Sequence, residues 1–214
     1  MTTVTGPVEE APTRREREKA AHRSEILQAA VKVFSRKGFA AATIEEIAQE
    51  AEFSKGAVYL HFASKEELLS TVLLDMIETA VTEIRQVLPG TRSLREELSE
   101  LYRQAAEFAF SHRLHMSTSM PQHLCQFGSL SEETQTRMAE SHQQMVEILR
   151  HRIGQAQQAG EVRAASLDAV VGLVHGALDS MVATRWGRET VEELQVAAAE
   201  VIKIIFDGIA QRKE

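Results

Sequence analysis

The chain has 214 residues, of which 43% are hydrophobic and 26% are charged, a balance that suits a globular protein and excludes wholesale disorder. It contains four prolines and 11 glycines, so few residues interrupt helices, and its single cysteine, Cys125, excludes an intrachain disulfide and fits a reducing cytoplasm. The formal net charge is −7, yet residues 11–40 carry eight basic and three acidic groups, a local excess that suits a polyanionic ligand at one end.

Hydrophobic periodicity predicts an all-α fold, because apolar residues recur at helical spacing and no segment alternates with period two for long enough to form a strand. Residues 1–13 mix Thr, Pro, Gly and Glu and are predicted to form a disordered tail. About nine helices are predicted, at residues 17–37, 44–51, 55–61, 65–86, 94–112, 115–125, 132–159, 167–186 and 190–211.

Capping signals set most of these boundaries. Gly38 is predicted to end the first helix. A Ser or Thr stands three residues before a Glu, the pattern of an N-terminal capping box, at five predicted starts. These pairs are Thr43/Glu46, Ser64/Glu67, Ser93/Glu96, Ser129/Glu132 and Thr190/Glu193. The pair Thr13/Glu16 also matches, at a place where no new helix is expected.

Residues 43–68 predict a helix-turn-helix. The first helix turns Ile44, Ile47 and Ala48 inward, a tight turn follows at residues 52–53, and Ser54 caps the second helix. Such a second helix fits a DNA major groove about 12 Å wide. Its outward residues are predicted to be Lys55, Gly56, Tyr59 and His61.

This segment resembles the DNA-binding signature of the tetracycline-repressor (TetR) family of bacterial transcription regulators. The matching residues run from Arg23 to Leu69, with Ser54-Lys-Gly56, Tyr59 and His61-Phe62 at their centre. The resemblance implies contacts to phosphates or bases from six side chains: Thr43, Ser54, Lys55, Tyr59, His61 and Lys65. It also implies that Gly56 admits the backbone to the groove.

The turn departs from the family pattern, which has a glycine followed by a small aliphatic residue where this chain has Glu52 and Phe53. A positive φ at Glu52 would cost on the order of 1 kcal/mol or more.

The remaining residues predict a helical effector and dimerisation domain. Gly172, Gly176 and Ser180 repeat every four residues, which indicates a close helix contact, so a homodimer through residues 167–186 and 190–211 is expected, as in the family. The mostly apolar pocket candidates suit a hydrophobic small molecule. They are Tyr102, Phe108, His112, Met116, Met120, Phe127, Met138, His142, Met145, His175, Met181 and Trp186.

His112, His115, His123 and Cys125 lie close in sequence and suggest a metal-sensing alternative. Pro121 interrupts this segment and there is one cysteine, so no metal site and no cofactor are predicted. The chain lacks the glycine-rich, G-x-S-x-G and H-E-x-x-H motifs, and an enzyme is not expected.

Taken together, residues 14–63 are predicted to be the DNA-binding domain and residues 64–214 the effector and dimerisation domain. The predicted function is a cytoplasmic, homodimeric regulator, a repressor released from a palindromic operator by a hydrophobic molecule, with no membrane partner. Two alternatives remain: a metal- or redox-sensing regulator of the same fold, and a helical protein that sequesters a ligand without binding DNA.

Overall fold

The structure, a computed structural model, describes residues 13–111 and 130–209. Within these ranges the chain forms eight α-helices and one 3-10 turn, Arg185–Gly187. The helices are α1 (Arg14–Ala41), α2 (Ile44–Glu50), α3 (Lys55–Tyr59), α4 (Lys65–Val87), α5 (Leu94–Ser111), α6 (Glu132–Gln158), α7 (Leu167–Thr184) and α8 (Val191–Ile209). The all-α prediction is confirmed, and the helix predicted at residues 115–125 lies outside the described residues.

Helix α1 begins at Arg14 rather than near Arg17. The Thr13 hydroxyl accepts a hydrogen bond from the Glu16 amide (3.3 Å), and the Glu16 carboxylate accepts one from the Thr13 amide (2.7 Å). This reciprocal pair is a complete capping box, so the expectation that Thr13 starts no helix is wrong. The predicted interruption at Gly38 is confirmed, because Gly38 has a φ of 76° and leaves helical geometry before the chain turns to Ala41.

Helix α6 begins at Glu132, as predicted, but its cap differs. The Ser131 hydroxyl accepts from the Thr134 amide at 3.1 Å, so the residue directly before the helix is its cap, and Ser129 of the predicted Ser129/Glu132 pair lies outside the described residues. The other four predicted cap hydroxyls each accept from the amide three residues on. These are Thr43, Ser64, Ser93 and Thr190.

Two hydrophobic clusters form the core, and α4 contributes to both. The N-terminal cluster joins α1, α2 and α3 to the first half of α4 as far as Met76, and it also contains Leu130 and Met138. The C-terminal cluster joins α5, α6, α7 and α8 to the end of α4 at Ile84 and Val87. Helix α4 is therefore the element that connects the two cores, and the domain boundary predicted near residue 63 stays a prediction.

A buried ion pair links the first turn of α5 to α6. Arg152 donates from Nε to Glu97 Oε2 at 2.5 Å, and both side chains are almost fully buried. Glu97 also accepts from the amide of Gly90 at 2.9 Å, while Arg152 donates to the carbonyl of Arg92 at 2.9 Å. These bonds compensate the cost of taking two charges out of water.

Candidate functional site

The turn between α2 and α3 has a left-handed residue at its centre. Glu52 has a φ of 60°, so the turn does adopt the strained conformation whose cost the sequence analysis considered. Its amide donates to the carbonyl of Gln49 (3.2 Å), and the Phe53 amide donates to the carbonyl of Ala48 (2.9 Å). This pair of bonds is the Schellman motif, which normally has glycine at the left-handed position. The motif ends α2 and fixes the direction in which α3 leaves the turn.

Helix α3 presents a short exposed face. Ser54 caps it by accepting from the Ala57 amide at 3.1 Å, and Val58 is fully buried beneath it. Lys55 and Tyr59 lie on the outer side, with the Lys55 ammonium 5.9 Å from the centre of the Tyr59 ring and Tyr59 47% exposed. Because Gly56 has no side chain, the α3 backbone at this position is open to a ligand.

Carboxylates of α2 neutralise the basic side chains around this face. The ion pairs are Lys55–Glu45, Lys37–Glu46, and Lys32 and Arg36 with Glu50. Hydrogen bonds from Lys55 and Lys37 lower the pKa of Glu45 and of Glu46, and the bond to Glu45 raises the pKa of Lys55. A phosphate that binds Lys55 must therefore compete with Glu45.

Two predicted DNA contacts already have partners inside the protein. Lys65 donates from Nζ to the carbonyls of Phe39 and Ala42, both at 2.9 Å, and so contacts the last residues of α1 and the residue after it. The Thr43 hydroxyl is occupied as the cap of α2. Contacts of Lys65 and Thr43 with DNA stay predictions, and each side chain has a structural role in the protein alone.

His61 does not belong to the outward set, contrary to the prediction. It is half-buried against the start of α1, where its ring lies 6.3 Å from that of His22. Burial lowers the pKa of His61, and the nearby Lys19 and Arg23 lower it further. A neutral His61, half-buried beside α1, is therefore expected at pH 7.

The predicted effector residues do not form one group in the part of the chain that is described. Tyr102 and Met181 fill the C-terminal cluster, where the Tyr102 hydroxyl donates to the carbonyl of Val174 at 2.6 Å, and Met145 packs at its edge. Met138 and Phe108 pack instead in the N-terminal cluster, beside the first half of α4. His112, Met116, Met120, Phe127 and the Trp186 side chain lie outside the described residues.

His142 and His175 form the polar part of this region. Their rings pack edge to face with centroids 4.7 Å apart, and His175 Nδ1 lies 3.3 Å from a carboxylate oxygen of Asp179. His142 is exposed on the surface of α6, although the sequence analysis predicts it as a pocket residue. Burial lowers the pKa of His175 while the Asp179 charge raises it, and the net shift is downward.

Comparisons with known proteins agree on the N-terminal helices. Residues 26–72 match the model of the bacterial regulatory proteins of the TetR family. The transcriptional repressor KstR2 of Mycolicibacterium smegmatis is 35% identical over 94 residues, which cover 44% of this chain and 45% of that protein. The transcriptional regulator UidR of Escherichia coli K12 is 28% identical over 140 residues, 65% of this chain and 68% of the relative.

The fold agrees along most of the chain. The Bacillus subtilis regulator FadR, solved in complex with stearoyl-CoA, superposes with a TM-score of 0.68 at 19% identity and covers 87% of this chain and 98% of its own. Residues 26–72 carry the DNA-binding region of the TetR family. The similarity is strongest at the helix-turn-helix, and the chain spans less than half the length of KstR2.

Two features of the structure escaped sequence reasoning. The bonds of Lys65 to the carbonyls of residues 39 and 42 depend on how α4 packs against α1, so no local sequence pattern predicts them. The group of His142, His175 and Asp179 joins two helices, with His142 and His175 33 residues apart in the sequence, and only the i,i+4 spacing of His175 and Asp179 gave a local signal.

Proposed function

We propose that this chain is a ligand-responsive, DNA-binding transcriptional regulator that represses as a homodimer. The exposed Lys55–Tyr59 face of α3 carries the proposal, because a lysine and a phenol on an otherwise open helix suit phosphates and base edges. The chain lacks the glycine-rich, G-x-S-x-G and H-E-x-x-H motifs, which favours a regulator over an enzyme. The single cysteine is consistent with action in the cytoplasm.

The DNA-binding test begins with selection of a site from a random duplex library, followed by fluorescence anisotropy on the selected duplex. We expect a palindromic site, and an affinity whose log–log slope with salt is about −5 to −9 if about six to ten phosphates are neutralised. Failure to enrich any site would overturn the proposal and favour the protein that only sequesters a ligand.

Variants of the Lys55–Glu45 pair locate the binding face. Lys55→Gln should weaken operator binding by about tenfold or more, as the loss of a good base or phosphate contact does. Glu45→Gln should strengthen binding by up to about fivefold, because an exposed ion pair is worth at most about 1 kcal/mol and DNA no longer has to break it. Lys203→Gln, an exposed lysine on α8, is the matched control. Equal losses of operator affinity for Lys55→Gln and Lys203→Gln would contradict the assignment of the Lys55–Tyr59 face to DNA binding.

The proposed dimer interface lies on α7 and α8. Among the described residues, five large hydrophobic side chains are exposed: Tyr59 and Leu60 at α3, and Leu173, Val196 and Ile204 on α7 and α8. Leu173 and Ile204 line an apolar groove of about 240 Å³, and open space surrounds the nearby Gly172 and Gly176. A second copy of the chain would cover this surface.

Helix α7 also has the length and apolar composition of a membrane span. Its buried residues pack in the C-terminal cluster, and Asp168, His175 and Asp179 interrupt its surface, so we assign its exposed apolar side to the dimer. Leu173→Glu should give monomers in light scattering, whereas Ala139→Glu at an exposed site of α6 should not. A dimeric Leu173→Glu variant would exclude this interface.

The effector is proposed to be a hydrophobic or amphipathic small molecule held by the helices between residues 94 and 186. FadR of B. subtilis binds stearoyl-CoA, which supports an acyl or similarly apolar ligand for this chain.

Helix α4 would transmit effector binding to the DNA-binding helices, because Leu73 and Met76 pack in the N-terminal cluster while Ile84 and Val87 pack in the C-terminal one. A tilt of α4 would change the separation of two α3 helices that must match grooves about 34–36 Å apart.

Titration of the selected duplex complex with acyl-CoA and sterol panels tests this mechanism. A true effector should lower operator affinity by about 5–150-fold, and the operator should weaken the effector by the same factor. A ligand that binds tightly without changing operator affinity would exclude the proposed coupling.

A further inference from the structure

Three potential metal ligands meet between α6 and α7, far from the α3 face in sequence. His142 comes from α6, and His175 and Asp179 come from successive turns of α7. One donor atom of each residue lies within 4.8 Å of the other two donor atoms. Two imidazoles and one carboxylate form a donor set that first-row transition metals prefer and that Mg²⁺ and Ca²⁺ do not.

The surroundings of His175 leave a donor atom unused. Its Nδ1 lies 3.3 Å from Asp179 Oδ2, while its Nε2 is buried and has no hydrogen-bond partner among the described residues. The hydrogen bonds of the described residues therefore leave at least one ring nitrogen of His175 available as a ligand, and Nδ1 is the nitrogen that lies beside Asp179. The neighbouring Tyr102 hydroxyl does not donate to His175 Nε2, because it donates to the carbonyl of Val174.

The geometry points to a Zn²⁺ site formed by His142, His175 and Asp179, with a fourth coordination position left open. For three atoms no more than 4.8 Å apart, some point lies within about 2.8 Å of all three, and zinc bonds of about 2.0–2.2 Å then require each donor to move by about 0.8 Å or less. His142 and Asp179 are exposed and can make that adjustment by changing rotamer.

The metal would tie α6 to α7 at the edge of the C-terminal cluster. Three protein ligands leave one tetrahedral position for water or for an oxygen or nitrogen donor of a small molecule, the arrangement of zinc sites that bind exchangeable ligands. The site requires only the packing of these two helices, so it stands or falls independently of DNA binding.

The test uses the full-length protein, stripped of metal and titrated with Zn²⁺ in competition with a chromophoric chelator. We expect one Zn²⁺ per chain, and a loss of affinity of at least tenfold in each of His142→Ala, His175→Ala and Asp179→Asn. His151→Ala is the matched control, since His151 is an exposed histidine on α6 that bonds only with Gln155 in the described structure. It should bind Zn²⁺ like the unmodified protein.

Cobalt substitution supplies a second readout. Co²⁺ in the unmodified protein should give the intense visible absorption of a four-coordinate site, and His142→Ala should change that spectrum while circular dichroism shows an unchanged fold. Substoichiometric binding, or the same affinity and spectrum in His142→Ala and Asp179→Asn, would overturn the site. If His175→Ala fails to fold, those two variants of exposed residues decide the question.

Discussion

Replacing Glu52 by glycine should stabilise this protein, although it removes a side chain from the DNA-binding domain. Glu52 has a φ of 60° at the left-handed position of the motif that ends α2. A residue with a Cβ pays about 1–2 kcal/mol in this conformation, which glycine does not. Glycine also makes the unfolded chain more flexible at a cost of about 0.4–1 kcal/mol, so Glu52→Gly should gain about 0.5–1 kcal/mol.

The end of α6 provides the reverse experiment in the same molecule. Gly160 has a φ of 72°, its amide donates to the carbonyl of Gln157 (3.1 Å), and the Glu161 amide donates to that of Ala156 (2.9 Å). A Cβ added to Gly160 would meet no atom within 4 Å, so only the backbone conformation opposes a side chain. Gly160→Ala should therefore lose about 0.5–1 kcal/mol, the mirror image of the change at Glu52.

Urea unfolding at fixed protein concentration, followed by circular dichroism, measures both changes. A shift of 1 kcal/mol corresponds to about 2–4 °C in Tm for a chain of this size, which differential scanning calorimetry resolves. Glu52→Ala is the control, because it removes the same carboxylate but keeps the Cβ, and it should stay close to the unmodified protein. If Glu52→Gly is no more stable than Glu52→Ala, the strain argument is refuted.

Two further predictions concern buried charge and pH. Arg152→Met should destabilise the fold by about 3–5 kcal/mol in urea unfolding, because it leaves Glu97 charged and buried without its ion-pair partner. Adding Glu97→Gln should restore part of the lost stability. Equal stability of Arg152→Met and the unmodified protein would show that the pair contributes nothing. The pKa of His61 is lowered below its ordinary 6.5, so the unfolded chain binds a proton more readily than the folded one, and stability present above pH 6.5 should fall as the pH drops below it. His61→Asn should flatten that decline in unfolding curves between pH 7 and 5. An unchanged slope would contradict the lowered pKa of His61.

The sequence by itself determined the features that depend on neighbouring residues. Thr43 and Glu46 can reach each other only by forming the first turn of a helix, and the tight connection after α2 required a positive φ at Glu52. The same local pattern at Thr13 and Glu16 marks the true start of α1, where no new helix is predicted. The family resemblance rested on this kind of signal, which the match over residues 26–72 confirmed.

Tertiary structure decided everything that depends on the angle and distance between helices. The family resemblance implies a contact of Lys65 with DNA, and the packing of α4 on α1 also brings its ammonium to two backbone carbonyls. Met138 was grouped with Met181 by residue type, yet the two lie in different hydrophobic clusters. His142 meets His175 and Asp179 only because α6 lies against α7, and no periodicity within one helix encodes the approach of another. A helix's sequence specifies which side it buries, whereas the neighbour that covers that side depends on the packing of the whole chain.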